Sequence, residues 1–382
     1  MDEKLDKRLD SVDGVRAVAI LWVALFHFAF FWSAAGKGLD LLPYDDMLAW
    51  IPLADVGHLG VSLFFIVSGL VIALSLTRSK SASQFGLRRM ARLWPTFAVC
   101  ATLTFLTTTV LGPEVLRRSV PEYLISLSFV PPAHVGRAFG VPGMEWLDGA
   151  YWSIWVEVRF YALAAFLYFA LPWSFIRCWA VVAAGCAAVH LLGIAGVGPA
   201  DALSRLLFAE HQPFFTAGIA LAFLMHGQER WLARALLTVS VALALFYGWA
   251  KLDWATAGTA VPLGAVLACF VIAAVSVLRA GAIPLLRWAP MTALGRASYV
   301  YYLLHQNLGL ALLAAVPLAG LASVMVMLAI QAGLIALAIF LHLNVEKPVL
   351  RWLRRRIDGP RVAAPQPPQP VRSAAAAGNP HP

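Results

Sequence analysis

Among the ionisable side chains of this 382-residue chain that fall inside stretches otherwise built of Leu, Val, Ala and Phe, seven stand out: Arg16, His27, Glu157, Arg159, His190, His211 and His305. Each costs at least ~2.5 kcal/mol to place in a bilayer, which makes each a functional candidate. An imidazole exchanges protons near neutral pH, so the chemistry such histidines suit is general acid–base catalysis. Arg16 and His27 are eleven residues apart. Eleven helical steps of about 100° bring both to one face, about 16 Å apart along the axis. A second group, Arg88, Arg89 and Arg92, precedes Pro95. Guanidinium groups match phosphate oxygens in pairs, so this cluster suits a phosphate-bearing ligand. Plainer readings exist for each. A lone intramembrane histidine can simply bond a neighbouring helix, the favoured reading for His190 and His211. Arginines at a membrane edge anchor topology. Arg159 and Glu157, two apart, point to different helix faces, which argues against direct pairing within the helix.

The elements that must hold these groups follow from composition. Apolar residues make up 61% of the chain and charged residues 13%, against roughly 45–50% and about 25% in soluble domains. The mean hydropathy of +0.76 excludes a disordered chain, a disulfide-stapled module and a water-soluble nucleotide enzyme. No GxxxxGK[ST] loop occurs, nor a GxGxxG following a strand. The net charge of +9 would suggest nucleic acid in a soluble protein, but in a membrane the placement of charge matters more. The chain reads as an all-α, polytopic integral membrane protein with no nucleic-acid partner. Ten apolar stretches near the ~20 residues of a span cover 15–33, 56–77, 93–111, 150–171, 178–197, 203–225, 235–250, 256–278, 291–316 and 318–343. Trp50, Trp152, Trp249 and Trp254 lie near span ends, as interface anchors do.

An even number of spans puts both termini on one side. Of the 29 Lys and Arg, twenty fall on that side, five on the other and four within spans. The positive-inside rule therefore makes the termini cytoplasmic. A cleaved signal peptide is the rival reading of residues 1–35, but Arg16 and His27 interrupt its apolar region. The expected organisation is a cytoplasmic N-terminus over 1–14, a transmembrane domain over 15–348, and a basic, then disordered, cytoplasmic tail over 349–382. Cys100, Cys178, Cys186 and Cys269 sit in apolar runs without ligand spacing, so neither disulfides nor a metal site is expected. Counting helical rise from the span ends puts His27, Glu157 and His305 each about 9–10 Å below the outer surface, so the three are expected to meet at one level.

With these residues in place, the sequence resembles the acyltransferase 3 family of integral-membrane O-acyltransferases. The first span carries the family's Arg and His at Arg16 and His27. The second carries Gly60–Val61, Phe64–Phe65 and Ser68–Gly69. Arg89, Arg92 and Pro95 match an Arg-x-x-Arg before proline. Trp152, Ser153, Glu157, Phe160 and Tyr161 match one further segment, and Ser298, Tyr299, Tyr302 and His305 another. Asn344–Pro348 resembles the closing Glu-x-Pro. Val158–Arg159 departs from the polar or acidic pair that many relatives carry there, which leaves Arg159 without a role. The resemblance implies transfer of an acyl group, often acetyl, from cytoplasmic acyl-coenzyme A to a hydroxyl of a sugar or glycosylated acceptor, at the inner membrane. It implies no permanently bound cofactor, and no fused esterase-like domain is expected here. His27, Glu157 and His305 are then the expected catalytic residues. His27 would act as base or as a transient acyl carrier, and Glu157 would orient its ring. Arg16, Arg89, Arg92, Ser68, Trp152, Ser153, Tyr161 and Tyr302 are the expected substrate and acyl-coenzyme A contacts. The alternative, a transporter or flippase for a lipid-linked sugar or acyl compound, would show Gly/Pro-broken spans in corresponding places of two halves, and no such pairing is visible.

Overall fold

The computed structural model describes residues 3–36, 41–251, 260–279 and 281–358. Among these there is no β-strand. The helices are α1 (Glu3–Phe26), α2 (Leu59–Leu76), α3 (Ala82–Leu111), α4 (Val120–Ser126), α5 (Pro132–Ala138), α6 (Trp152–Phe169), α7 (Phe175–Ile194) and α8 (Gly198–Leu206). They continue with α9 (Gln212–His226), α10 (Arg230–Lys251), α11 (Ala260–Leu278), α12 (Ala289–Leu304), α13 (Asn307–Ala314), α14 (Gly320–Leu341) and α15 (Lys347–Asp358). Helices are the form lipid demands, because each satisfies its own backbone.

Seven helical segments of the described residues are long and apolar enough to span a membrane: Asp10–Phe31, Leu59–Leu76, Ala82–Leu111, Phe175–Ile194, Arg230–Lys251, Ala260–Leu278 and Gly320–Asp358. They coincide with seven of the ten expected spans. The other three correspond to α6, α9 and the pair α12–α13. Helix α6 carries Glu157 and Arg159, α9 has 15 residues, and α12 has 16 before the chain breaks at His305–Gln306. Of these, α9 and α12 are wrapped in protein rather than lipid. In α9 every residue from Gln212 to Ala222 is buried, and in α12 nearly all from Leu294 onward are. A span sheltered by neighbours can be shorter and more polar than one facing lipid.

Close backbone contact fixes this centre. Helix α2 crosses α9 at Gly69 and Gly218, where an added Cβ would lie 2.2 Å from the Phe215 carbonyl oxygen and 2.0 Å from that of Ile66. Helix α1 meets α12 at Gly295, where it would lie 1.8 Å from the Asp13 carbonyl oxygen. Only glycine allows these approaches, the device by which intramembrane helices gain packing without a hydrophobic driving force. The α1–α12 contact sets Arg16 and His27 against the helix that leads to His305.

Two boundaries differ from the sequence reading. Helix α3 begins at Ala82, not near 93, so Pro95 sits inside a 30-residue helix rather than in its first turn. The cause is a cap: the Ser81 hydroxyl accepts from the Gln84 N–H at 3.2 Å, and the Gln84 side chain accepts from the Lys80 N–H at 2.8 Å. Hydropathy alone misses such a polar start. The basic beginning of the tail folds as α15, and the tail beyond Asp358 lies outside the described residues, as do Lys37 and Trp254.

Candidate active site

The first helix does not end regularly. His27 opens a π-helical turn, His27–Phe31, a wide turn often found where a side chain must be re-aimed. His27 Nδ1 lies 3.0 Å from Nε2 of His305, which is 0% exposed. His305 Nδ1 in turn lies 2.8 Å from the Tyr302 carbonyl oxygen. A carbonyl only accepts, so His305 Nδ1 carries a proton and, in the neutral ring, its Nε2 does not. His27 Nδ1 must then donate to it. That leaves His27 Nε2 with a free lone pair, on a ring that lines a large cavity.

His305 is held by the break in the chain. After α12 ends at Leu304, Gln306 takes φ −81° and ψ −86°, and α13 restarts at Asn307. The Asp148 carboxylate caps that restart. It accepts from the Asn307 N–H at 2.9 Å and the Ala150 N–H at 2.8 Å. The Asn307 side chain donates to the Leu147 carbonyl at 3.0 Å, and the Tyr151 hydroxyl to the Leu303 carbonyl at 3.1 Å. Burial pushes the Asp148 carboxyl up to about 6, against the pull of its two N–H donors. Sequence reasoning missed Asp148 and Asn307. Their signals were Asp148–Gly149 just before α6 and the amide pair Gln306–Asn307 in an otherwise apolar run.

The cavity beside His27 measures about 1050 Å³. Phe26, Trp32, Trp146 and Trp152 give it aromatic walls, and its polar rim includes His58, the Arg118–Glu145 pair and the Lys251–Glu210 pair. His211 also lines it, between Trp152 and Phe65. His190 lies elsewhere, 2.6 Å from Ser204 and edge-on to Tyr247. Arg159 lines neither this cavity nor the next. It lies over the rings of Trp155 and Phe208, 5.3 Å from each.

A second cavity, about 360 Å³, collects Arg16, Arg89, Arg92, Ser68, Ser153, Glu157, Tyr161 and Tyr302. Ser153, Glu157 and Tyr161 share one face of α6 by four-residue spacing. The Glu157 carboxylate accepts from Ser68 at 2.7 Å and from the Tyr161 hydroxyl. Arg89 stacks over Phe85 and Tyr161, at 5.5 and 5.7 Å, and its Nε has no hydrogen-bond partner among the described residues. Arg16 faces Asp13 at 3.8 Å.

The expected meeting of His27, Glu157 and His305 is therefore corrected. The two histidines meet, and Glu157 belongs to the arginine cavity. Its bonds to Ser68 and Tyr161 leave the orienting of the His27 ring to His305. The depth count assumed straight helices and could not foresee a π-turn at His27 or a break after His305. The cavities adjoin through a common wall of Val61, Phe65 and Tyr302. The Tyr302 hydroxyl donates to the Ala150 carbonyl at 2.7 Å and accepts from Ser153 at 2.8 Å. Among the described residues, no three His, Cys, Asp or Glu side chains gather as a metal site would require.

A family model described as an acyltransferase domain matches residues 9–343. The chain is 28% identical over 404 aligned residues to the acyltransferase MdmB of Streptomyces mycarofaciens, covering 94% of this chain and 96% of that protein. It is 28% identical over 178 residues to the peptidoglycan O-acetyltransferase OatA of Listeria monocytogenes, covering 44% of this chain and 25% of that one. The O-acetyltransferase OatA of Staphylococcus aureus is 25% identical over 187 residues, covering 43% and 26%. No solved structure matches.

Proposed function

The chain belongs to the acyltransferase-domain family of membrane O-acyltransferases, and we propose that it moves an acyl group, most simply acetyl, from acyl-coenzyme A to a hydroxyl of a sugar-bearing acceptor. The reading rests on one arrangement: a basic histidine nitrogen in a large cavity that shares a wall with a smaller, arginine-rich one. The arginines suit the phosphates of coenzyme A. The larger cavity, at the upper end of the roughly 300–1,000 Å³ typical of ligand sites, suits a bulky acceptor. Its tryptophan walls offer flat faces to a sugar ring, and its charged rim offers hydrogen bonds to hydroxyls. Two relatives whose names specify O-acetyl transfer support acetyl as the group moved.

His27 Nε2 takes the acceptor's hydroxyl proton as that oxygen attacks the thioester carbonyl carbon. The C–S bond then breaks, and the departing thiolate takes the proton back from the imidazolium, giving an ester and a free thiol. His305 fixes the ring through Nδ1 and stabilises the charge that His27 gains. Glu157 balances the arginines of the donor cavity. The thioester must reach past Tyr302 to meet the acceptor. The arginine cavity faces the cytoplasm and the His27 cavity the opposite side of a bacterial inner membrane.

Purified His27→Ala, followed by thiol release from acetyl-coenzyme A in the presence of acceptor, tests this. Turnover should fall within the roughly 10²–10⁴-fold range of general-base catalysis, with donor KM unchanged. Near-wild-type turnover would move the base elsewhere. A wild-type protein that consumes no acyl-coenzyme A would leave the transporter reading in its place.

A further inference from the structure

We infer that Arg354, on α15, completes the donor site by binding the ribose 3′-phosphate of coenzyme A at the mouth of the arginine cavity, an inference that rests on the donor reading. The chain reaches α15 through a second π-turn, His342–Glu346, tied by His342 Nδ1 to Glu346 at 2.8 Å. The far end of α15 docks on the start of α3. Asp358 accepts from Arg88 Nε and Nη2, both at 2.7 Å. Arg354 precedes Asp358 by four residues, one helical turn, and so shares the docked face.

That docking gathers like charges. Asp358 meets Gln84 and Arg88 on α3, so Arg354, one turn earlier on α15, comes towards the next turn of α3, where Arg92 lines the arginine cavity; the charges of Arg92 and Arg88 act on it there. Arg92 also acts on Arg16. The carboxylate one turn along α15 from Arg354 is Asp358, which Arg88 already engages. Glu157 offsets Arg16 and Arg89 from within the cavity. Among the described residues Arg92 and Arg354 have no ion-pair partner, and Arg89 Nε has no acceptor. Mutually repelling guanidinium groups held by tertiary docking, with donors unused, call for an anion.

Size places that anion's parts. At about 360 Å³ the cavity is near the lower end of ordinary ligand sites, so it admits one arm of a molecule as long as coenzyme A. With the pantetheine arm and pyrophosphate against Arg16, Arg89 and Arg92, the nucleotide remains outside, on the side where α15 docks on α3 through Asp358 and Arg88. Arg351 and Arg356 are occupied otherwise. Arg351 Nε donates to the Lys347 carbonyl at 3.3 Å, and Arg356 lies 4.5 Å over the Trp352 ring. The region matched by the family ends at residue 343, before α15.

The test uses the full chain in detergent or nanodiscs, with acetyl-coenzyme A and its 3′-dephospho analogue as donors. Arg354→Ala should raise KM for acetyl-coenzyme A roughly tenfold or more, the scale of one charge-assisted contact, with kcat little changed. Wild type should lose about as much on moving to the dephospho donor, and Arg354→Ala should lose little further. Arg354→Lys should recover part, and Arg356→Ala should match wild type. An unchanged KM in Arg354→Ala, or an equal loss with both donors, overturns the assignment and leaves Arg354 as a membrane-edge anchor. If Arg89→Ala and Arg92→Ala raise KM while Arg354→Ala does not, only this inference falls. If none of the three alters donor KM, the donor reading itself fails.

Discussion

Replacing His305 separates its role from that of His27. Its Nε2 accepts from His27 Nδ1 across 3.0 Å, in a pocket where His305 is 0% exposed. His305→Ala removes that acceptor and leaves a buried donor unmade, a loss of about 1–3 kcal/mol. It also frees the His27 ring to adopt the wrong tautomer and withdraws a hydrogen bond to a charged group, itself worth about 1.5–3 kcal/mol. These overlap rather than add, so kcat should fall roughly 10–150-fold, since each 1.4 kcal/mol is tenfold. His305→Gln retains a side-chain acceptor and should recover most of that loss. His27→Ala, which removes the base, should be the worst of the three. The assay is thiol release from acetyl-coenzyme A at saturating acceptor, with thermal stability of each purified variant as control. If His305→Ala proves more damaging than His27→Ala, the roles are reversed. If the glutamine variant is as poor as alanine at equal stability, the acceptor role is wrong.

Three further expectations follow from geometry already given. Asp148, raised to about 6 by burial, binds its proton more tightly folded than unfolded, so it contributes stability at low pH that is lost as pH rises from about 4 through 6. About two units amount to ~3 kcal/mol at most; Asp148→Asn should flatten the apparent melting temperature across that window, and an unchanged slope rejects the assignment. Gly218→Ala forces a Cβ to within 2.0 Å of the Ile66 carbonyl oxygen and should abolish monodisperse protein, whereas Gly185→Ala, with nothing within 4 Å, should be neutral or slightly stabilising; equal behaviour of the two in size-exclusion profiles would contradict the α2–α9 crossing. Cysteines placed near Arg118 and near Arg234 should label oppositely with an impermeant thiol reagent in sealed cells, the four native cysteines being buried; equal labelling would refute the orientation.

Much of this architecture is legible in the sequence because lipid leaves few options. An apolar run of the right length must be a helix, and a charge inside it must have a use. Arg16, His27, Glu157 and His305 stand out for that reason alone. The helix that joins Arg16 to His27 is legible too, since the run between them is apolar and unbroken. Which cavity each side chain enters is not. Phase and depth fail where a helix is irregular, and both histidines sit at irregularities: one opens a π-turn and the other precedes a break. Those features depend on tertiary partners, above all the Asp148 carboxylate reaching Asn307 across 159 positions of sequence. Local pattern carries no trace of that contact. The start of α3 is a different kind of miss. Ser81-x-x-Gln84 is a cap signal written in the sequence, and it was hidden only because a boundary drawn by hydropathy stops where the polar turn begins.

The irregularities and the two cavities are parts of one arrangement. A straight α1 would continue the phase that puts Arg16 beside Arg92 and carry His27 along the same line. One helix nevertheless serves both cavities, Val12, Asp13 and Arg16 lining the smaller and Val23, Phe26 and His27 the larger, with the π-turn carrying Phe31 and Trp32 to the larger one as well. The break at His305–Gln306 does the same for α12–α13, with Ser298, Tyr299 and Tyr302 lining the smaller cavity and Gln306 and Asn307 the larger. Tyr302 sits where the two sets divide, and its backbone carbonyl sets the tautomer of His305 while its hydroxyl is fixed to Ala150 and Ser153. The side chain that closes the wall and the carbonyl that holds His305 thus belong to one residue.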